Sequence, residues 1–436
     1  MYGKIRNWEV VNVLSLDSVI EQKIAPNYQK KMLFITSLMW MFDAAGVLVL
    51  SFTLPNISKE WNLSVSTSAN VISSTFVGML IGALSVGIVS DMFGRKLSNI
   101  LYFLFTVIFT ALLGFTKDVG TFIVLRLLAG IGYGGLMPSV NAYMAEFTGR
   151  GLRGAYLVLL EASWAIGSII IGLISVLTVG VSWRISYYVF LIGILLLPML
   201  FKLPESPRFV FKKSGKEKLE KVFSIKIEDN IEPIPESKVG VIDILKGAYF
   251  KRTVMIWIQW FTVSFVYYTL FSWAPKIFAQ QGLSATKSLW FTFFMMVAQL
   301  PGYLSAAYFI EKIGRKKSLV VYTLGMAITS IIWAFVSSTV QLVIVALLLS
   351  FFTLGVWGLV YAYTPELYPT AMRGTGNGMA GVIARIAGIL APQYGGFMLA
   401  NNKSFLEIFG YLALLSVISS IVAGTMGVET KQRDIL

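Results

Sequence analysis

The sequence contains no cysteine and no histidine. The first absence excludes a disulfide framework, thiolate catalysis and cysteine-ligated metals; the second removes the usual general base and the commonest metal ligand. An enzyme built from this chain would have to work with carboxylates, lysine or tyrosine alone, and no glycine-rich nucleotide loop follows a strand. We therefore expect no enzymatic activity, no metal and no cofactor. Charge is scarce too: Asp, Glu, Lys and Arg make up 13% of the 436 residues, about half the share in a soluble domain. No compact apolar core followed by a small-residue cleavage site marks a signal peptide.

What is present is apolar. Hydrophobic residues make up 56% of the chain and the mean hydropathy is +0.74, so lipid must be the solvent for most of it. Twelve runs are long enough to cross a hydrocarbon core of about 30 Å, at 32–53, 67–90, 97–115, 120–143, 155–178 and 183–202, then 252–273, 286–310, 318–338, 340–363, 375–399 and 404–426. The fold class predicted is an all-α polytopic membrane protein with twelve transmembrane helices.

The net charge of +14 raises the possibility of a nucleic-acid partner, but the basic residues sit in loops. Loops 91–96, 144–154, 203–251, 311–317 and 364–374 hold most of them, and the opposite loops 54–66, 116–119 and 400–403 hold few. This asymmetry orients a membrane protein with both termini in the cytoplasm, and anionic lipids account for the excess without nucleic acid. A multi-pass protein of the cell membrane is expected, monomeric in the bilayer. Residues 1–29 form a cytoplasmic segment in which Trp8, Val10, Val11, Val13 and Leu14 would make one face of a surface helix. The polar stretch 203–251 reads as a cytoplasmic linker with one or two surface helices, between bundles at 30–202 and 252–426, and 427–436 is a cytoplasmic tail.

The two bundles repeat each other. Asp91, Gly94, Arg95 and Lys96 recur 220 residues later as Glu311, Gly314, Arg315 and Lys316, and the same offset carries Glu146, Arg153 and Gly154 to Glu366, Arg373 and Gly374. One offset shared by seven positions marks two homologous halves. Matched acids are more than topology needs, which favours a gate over simple topogenic charge. Small residues stand where helices would touch: Gly130 and Gly134 favour close packing, whereas Gly78, Gly82, Gly378, Gly381, Gly388, Gly395 and Gly396 leave packing and mere composition both open.

The motifs G-x-x-x-D-x-x-G-R-K at 87–96, R-x-x-x-G-x-G-x-G-G at 126–135, A-E-F then R-G-x-R-G at 145–154, P-E-S-P-R at 204–208 and P-E-L-Y-P-T-x-x-R-G-T-G at 365–376 resemble the major facilitator superfamily. The runs W-M-F-D-A-A at 40–45, L-L-E-A-S-W-A-I-G at 159–167 and A-R-I-A-G-I-L-A-P at 384–392 resemble its sugar-porter branch and the metabolite–proton symporters near it, the niacin-transporter-like and synaptic-vesicle-glycoprotein-like proteins. The resemblance implies two six-helix bundles that rock about a central site. It also implies a cytoplasmic gate of Asp91, Arg95, Glu146 and Arg153 with Glu311, Arg315, Glu366 and Arg373, in which Arg95 reaches Glu146 across the bundle. Two departures stand out. Where sugar porters carry amides in the seventh span, this chain has Thr262, Val263, Val266, Tyr267 and Tyr268 before Ala274-Pro275. Gly46 replaces a second acidic residue found in some niacin-type relatives.

Four ionisable residues fall inside the predicted spans: Asp43, Arg126, Glu161 and Arg385. Each costs about 2.5–3.5 kcal/mol at a helix centre unless compensated, so function is the default reading. Asp43 lies near the midplane, where a partner that comes and goes lets a carboxylate load and release a proton. The resemblance makes Arg126 that partner; a static ion pair is the plainer alternative. Arg385, with its planar fork, suits a substrate carboxylate, and Glu161 either binds substrate or pairs across the helix interface. Trp164, Tyr267, Tyr268 and Trp357 complete the expected substrate contacts. The function expected is proton-coupled symport of a small organic solute, an organic carboxylate, with aromatic ones such as nicotinate among the candidates. The alternatives are a monosaccharide–proton symporter and a non-transporting membrane receptor on the same fold.

Overall fold

In hydrocarbon each backbone N–H must find its acceptor within its own segment, so long apolar runs become helices. The computed structural model describes residues 13–227, 230–231, 240–336, 338–369 and 372–431. Among them, ten helices are long and apolar enough to span a membrane. They are α1 (Ala25–Glu60), α2 (Val65–Phe93), α3 (Arg95–Leu113), α4 (Val119–Glu146) and α5 (Arg150–Thr178), with α7 (Gly247–Gln280), α8 (Ala285–Ile313), α10 (Thr339–Glu366), α11 (Arg373–Ala400) and α12 (Phe405–Met426). The remaining two of the twelve are α6 (Ile185–Phe201) and α9 (Arg315–Trp333), the latter opening on three basic residues.

Two spans are less regular than their apolar runs predict. α6 is a composite, with one α-helical turn at Ile185–Tyr188, a 3₁₀ stretch Val189–Leu196 and a last turn Leu197–Phe201. Pro198 has no N–H to give the preceding turn. α8 breaks between Ala285–Val297 and Gln299–Ile313, because Pro301 cannot donate to the carbonyl four residues back. α1 is longer than the expected 32–53, since both its ends find partners beyond the apolar run: Tyr28 packs edge-on against Phe223 at 5.5 Å, and Glu60 pairs with Arg184 at 2.7 Å.

The repeat extends to the helix starts at the end opposite the linker, hereafter the far end. Ser64 and Asp118 accept N–H groups at the starts of α2 and α4, and Ser284 and Ser338, each 220 residues on, do so for α8 and α10. Ser404 closes a reciprocal cap with Glu407 on α12. These caps set the helix entries in both halves alike.

Gly130 and Gly134 do pack closely, as expected. A Cβ on Gly130 would lie 2.2 Å from the Thr75 carbonyl oxygen, and one on Gly134 would lie 1.9 Å from that of Met79. Gly78 and Gly82 face α4 equally tightly, at 2.0 Å from the Leu127 oxygen and 2.2 Å from the Ile131 oxygen. The glycines of α11 divide by depth. Gly388, Gly395 and Gly396 would meet Phe76 at 2.5 Å, Trp273 at 2.5 Å and Ala69 at 2.8 Å, whereas Gly378 and Gly381 meet nothing within 4 Å.

That division describes the conformation. Towards the far end the halves are joined: Ser73 Oγ donates to the Ile389 carbonyl at 2.9 Å and Gln393 Nε2 to Asn70 Oδ1 at 2.9 Å. At the linker end Gly154, Gly374, Gly378 and Gly381 have open space in front of them. The halves therefore pack closely at the far end and leave these glycines uncovered at the linker end.

The chain preceding α1 corrects one expectation. Val13 and Leu14 are not part of a surface helix but form a two-residue strand paired in parallel with Asn230–Ile231 of the linker. Trp8, Val10 and Val11 lie outside the described residues. A short turn Leu16–Val19 follows, with Leu16, Val19, Ile20 and Ile24 buried. The linker contributes the helix Pro207–Phe223, kinked at Gly215.

Candidate functional site

Asp43 and Arg385 reach the central site from different halves. Asp43, on α1, is fully buried, and neither carboxylate oxygen has a hydrogen-bond partner. The guanidinium acting on it is that of Arg385, on α11, which is 5% exposed. Arg385 Nη2 donates to Met137 Sδ at 2.8 Å, and its Nε is left without a partner. A buried carboxylate and a buried guanidinium with unused valences are costly to maintain. They are what a polar ligand or a proton would satisfy.

Aromatic rings wall this centre. Tyr267 lies 5.3 Å and Tyr268 5.9 Å from Trp357, and Tyr268 packs tilted against Phe76 of the other half at 4.3 Å. The Tyr267 and Tyr268 hydroxyls are buried without hydrogen-bond partners, and Trp164 neighbours Tyr267 from α5. Tyr267, Tyr268, Trp357 and Trp164 thus form one aromatic cluster, and Tyr268 brings it beside Arg385. Glu161 is held by Asn141, whose Nδ2 donates to Oε1 at 3.0 Å. Its partner is an amide rather than a cation, and its charge acts on Tyr303 and Tyr361.

Arg126 is fixed elsewhere in this conformation. Its Nε donates to Thr75 Oγ1 at 2.8 Å and its Nη1 to the Gly46 carbonyl at 3.1 Å, and no ion pair joins it to Asp43. Gly46 makes this possible: a Cβ there would lie 2.4 Å from the Tyr133 ring, so the missing side chain leaves room for the ring. The Tyr133 hydroxyl bonds Thr110 Oγ1, and both Asp43 and Arg126 act on that tyrosine. Tyr133 is thus a neighbour that the two charges share.

The predicted gate acids and bases do assemble, each set within its own half. Arg95 pairs with Asp91 at 3.1 Å and with Glu146 at 3.4 Å; Arg315 pairs with Glu311 at 3.1 Å and with Glu366 through two bonds of 2.9 Å. These contacts tie α2, α3 and α4 together, and α8, α9 and α10. Arg153 and Arg373 part company. Arg153 pairs with Asp17 of the N-terminal segment at 3.5 Å, which also takes Arg208 of the linker helix, and Arg373 Nε donates to the Tyr368 carbonyl at 3.1 Å.

Several site residues escaped the reading of the sequence. Glu205 accepts the backbone N–H groups of Arg95 and Lys96, and Glu429 those of Arg315 and Lys316. Ser206 donates to Glu146 and Thr430 donates to Glu366 at 2.5 Å, while Tyr143 and Tyr363 bond the carbonyls of Pro204 and Val428. Burial pushes Glu205 above the ordinary carboxylate range although three backbone N–H groups oppose it. Gln299, at the break of α8, is fully buried with both amide atoms unpartnered beside Tyr267. A single amide within an apolar run was the signal available for it.

Comparison with known proteins gives a consistent picture. The profile of the Major Facilitator Superfamily matches residues 32–392 and 282–433. A Bacillus subtilis protein with the provisional name niacin/nicotinamide transporter NiaP is 35% identical over 415 residues, covering 95% of this chain and 99% of its own. The niacin transporter NiaP of Acinetobacter baylyi is 30% identical over 437 residues, covering 97% and 99%. Among solved structures, that of the D-xylose–proton symporter superposes with a TM-score of 0.73 at 22% identity, covering 93% of this chain and 100% of the other, a likeness of fold.

Proposed function

The chain belongs to the Major Facilitator Superfamily, and we propose that within it the protein is a proton-coupled symporter of a small aromatic carboxylate. The observation that carries this reading is the pair of buried, under-satisfied charges Asp43 and Arg385, contributed by opposite halves and walled by Tyr267, Tyr268 and Trp357. Arg385 Nε is free to take one carboxylate oxygen of a ligand, and the aromatic walls offer faces to a planar ring. The bare Arg385 guanidinium disfavours a proton on Asp43; an anion that engages Arg385 offsets that charge, so Asp43 holds its proton better with substrate bound, the sign that symport needs. Proton occupancy is thereby coupled to substrate occupancy.

Transport follows from the closure already described. With the halves joined at the far end and the α11 glycines uncovered at the linker end, the site would face the linker, and the basic loops support a cytoplasmic side for it. Rocking the halves about the site would bring Gly378 and Gly381 against the first half and release Gly388 from Phe76 and Gly396 from Ala69, exposing the site to the outside. Each gate, held by Arg95 or Arg315, keeps its own half rigid so that the halves move as bodies.

The relatives named niacin transporters favour nicotinate as the first ligand to try. A second reading, a monosaccharide substrate, draws on Gln299, whose unpartnered amide could serve a hydroxyl. Thermal unfolding of the purified protein with nicotinate, other aromatic carboxylates and neutral sugars separates the two, since a ligand that binds only the native state raises the melting temperature. The carboxylate reading expects stabilisation by nicotinate that Arg385→Gln abolishes. Stabilisation by neutral sugars alone would replace it with the sugar reading.

A further inference from the structure

The second half carries a basic groove that the first half lacks. At the linker end, Lys312 of α8, Lys316 and Lys317 of α9, and Lys431 beyond α12 line one groove together with Val320 and Val321. Subtracting 220 from the first three gives Met92, Lys96 and Leu97, and subtracting the 224 that relates Glu429 to Glu205 takes Lys431 to Pro207. One lysine of four has a counterpart, and that one, Lys96, donates to the Phe201 carbonyl at 2.7 Å. The first half builds its gate without the other three, so the gate does not explain them.

The carboxylates around the groove are engaged elsewhere. Glu311 and Glu366 pair with Arg315, and Glu429 accepts the backbone N–H groups of Arg315, Lys316 and Lys431. Among the described residues no carboxylate forms an ion pair with these four lysines. Lys312 Nζ donates to the Tyr308 hydroxyl at 3.0 Å and Lys431 Nζ to the Lys312 carbonyl at 3.1 Å, neutral acceptors that leave the positive charge uncompensated. Directly along α9 from Lys317, the residues Val321, Leu324 and Ile328 follow at helical spacing and are 52%, 44% and 48% exposed. A groove lined by four lysines thus continues into an outward aliphatic stripe.

We propose that this groove binds an anionic phospholipid, its phosphate among Lys312, Lys316, Lys317 and Lys431 and one acyl chain along Val321, Leu324 and Ile328. A soluble phosphate would use the lysines and ignore the stripe. The bound lipid would also clasp Lys431 next to Thr430 and Glu429, steadying the segment that closes the second gate.

The test is a titration of the delipidated full-length protein in detergent, read by native mass spectrometry and thermal shift, with phosphatidylglycerol, phosphatidylcholine of the same acyl chains, and inorganic phosphate. Phosphatidylglycerol should bind about tenfold or more tighter than phosphatidylcholine, with phosphate inert at the same concentration. Replacing two lysines by their first-half counterparts, Lys312→Met with Lys317→Leu, should erase that preference, and Lys221→Gln in the linker helix should keep it. Lys431→Gln, which leaves both helices intact, should reduce it severalfold and serves if the double variant does not fold. Equal binding of the two lipids, a preference that survives the lysine substitutions, or stabilisation by phosphate alone would overturn the proposal.

Discussion

Glu429 stands to the second half as Glu205 stands to the first. Glu205 accepts the N–H of Arg95 at 2.9 Å and of Lys96 at 3.1 Å; Glu429 accepts the N–H of Arg315 at 2.9 Å and of Lys316 at 3.2 Å. Each carboxylate sits at the start of a helix, where unpaired N–H groups and the helix dipole favour negative charge. Their environments differ in sign. Burial raises Glu205, and its backbone bonds do not fully offset that; burial also acts on Glu429, but backbone N–H groups outweigh it and hold the group below the ordinary range.

The pH dependence of the two should therefore run in opposite directions. A raised carboxyl contributes stability below the ordinary glutamate pKa and loses it as pH rises through the elevated folded value; a lowered one contributes above the ordinary value and loses it as pH falls through the depressed folded value. As pH rises above about 4, wild type should lose melting temperature relative to Glu205→Gln. Relative to Glu429→Gln it should gain as pH rises towards the ordinary glutamate value of about 4 and stay level above it. Differential melting on both sides of that value checks both slopes.

The glycines give a contrast of stability with transport. Gly134→Ala forces a methyl against the Met79 backbone, which cannot move aside without parting α2 from α4, and should cost about 1–3 kcal/mol. Gly378→Leu has open space before it and should leave the melting temperature nearly unchanged. It should nevertheless slow uptake, because the rocking motion brings that face of α11 against the first half. Melting curves and initial uptake rates on the same preparations test the pair.

Asp17 joins the N-terminal segment to two arginines, Arg153 and Arg208. Asp17→Ala should cost about 1–3 kcal/mol, the usual penalty for stripping a partly buried charge of its hydrogen-bonded partner. Hydrogen exchange over residues 13–24 should speed up more than exchange in the second half. Uniform acceleration in both halves would point to global destabilisation instead.

The gates were legible in the sequence wherever the halves kept a common spacing. Asp91, Arg95 and Glu146 were found through Glu311, Arg315 and Glu366, and the structure joins them as pairs. Glu205 and Glu429 were not, because 429 minus 205 is 224: the second half has four more residues between Gly374 and Glu429 than the first has between Gly154 and Glu205. Asp17 gave no signal at all: a lone acid in a polar segment reads like any solvated charge. The buried charges announced themselves by the cost of placing them in lipid, yet their partners did not. Glu161 took an amide donor, Asn141, and Arg126 took Thr75 and a backbone carbonyl, since a neutral partner in a helix bundle leaves no trace in composition.

The central claim is that Asp43 carries the coupled proton. It is tested most directly by accumulation of labelled nicotinate in proteoliposomes under an imposed inward pH gradient, with counterflow measured in parallel. The account predicts that wild type accumulates nicotinate and collapses to equilibration when the gradient is dissipated, and that Asp43→Asn still exchanges substrate in counterflow but does not accumulate it. Gradient-driven accumulation by Asp43→Asn at the wild-type level would contradict it.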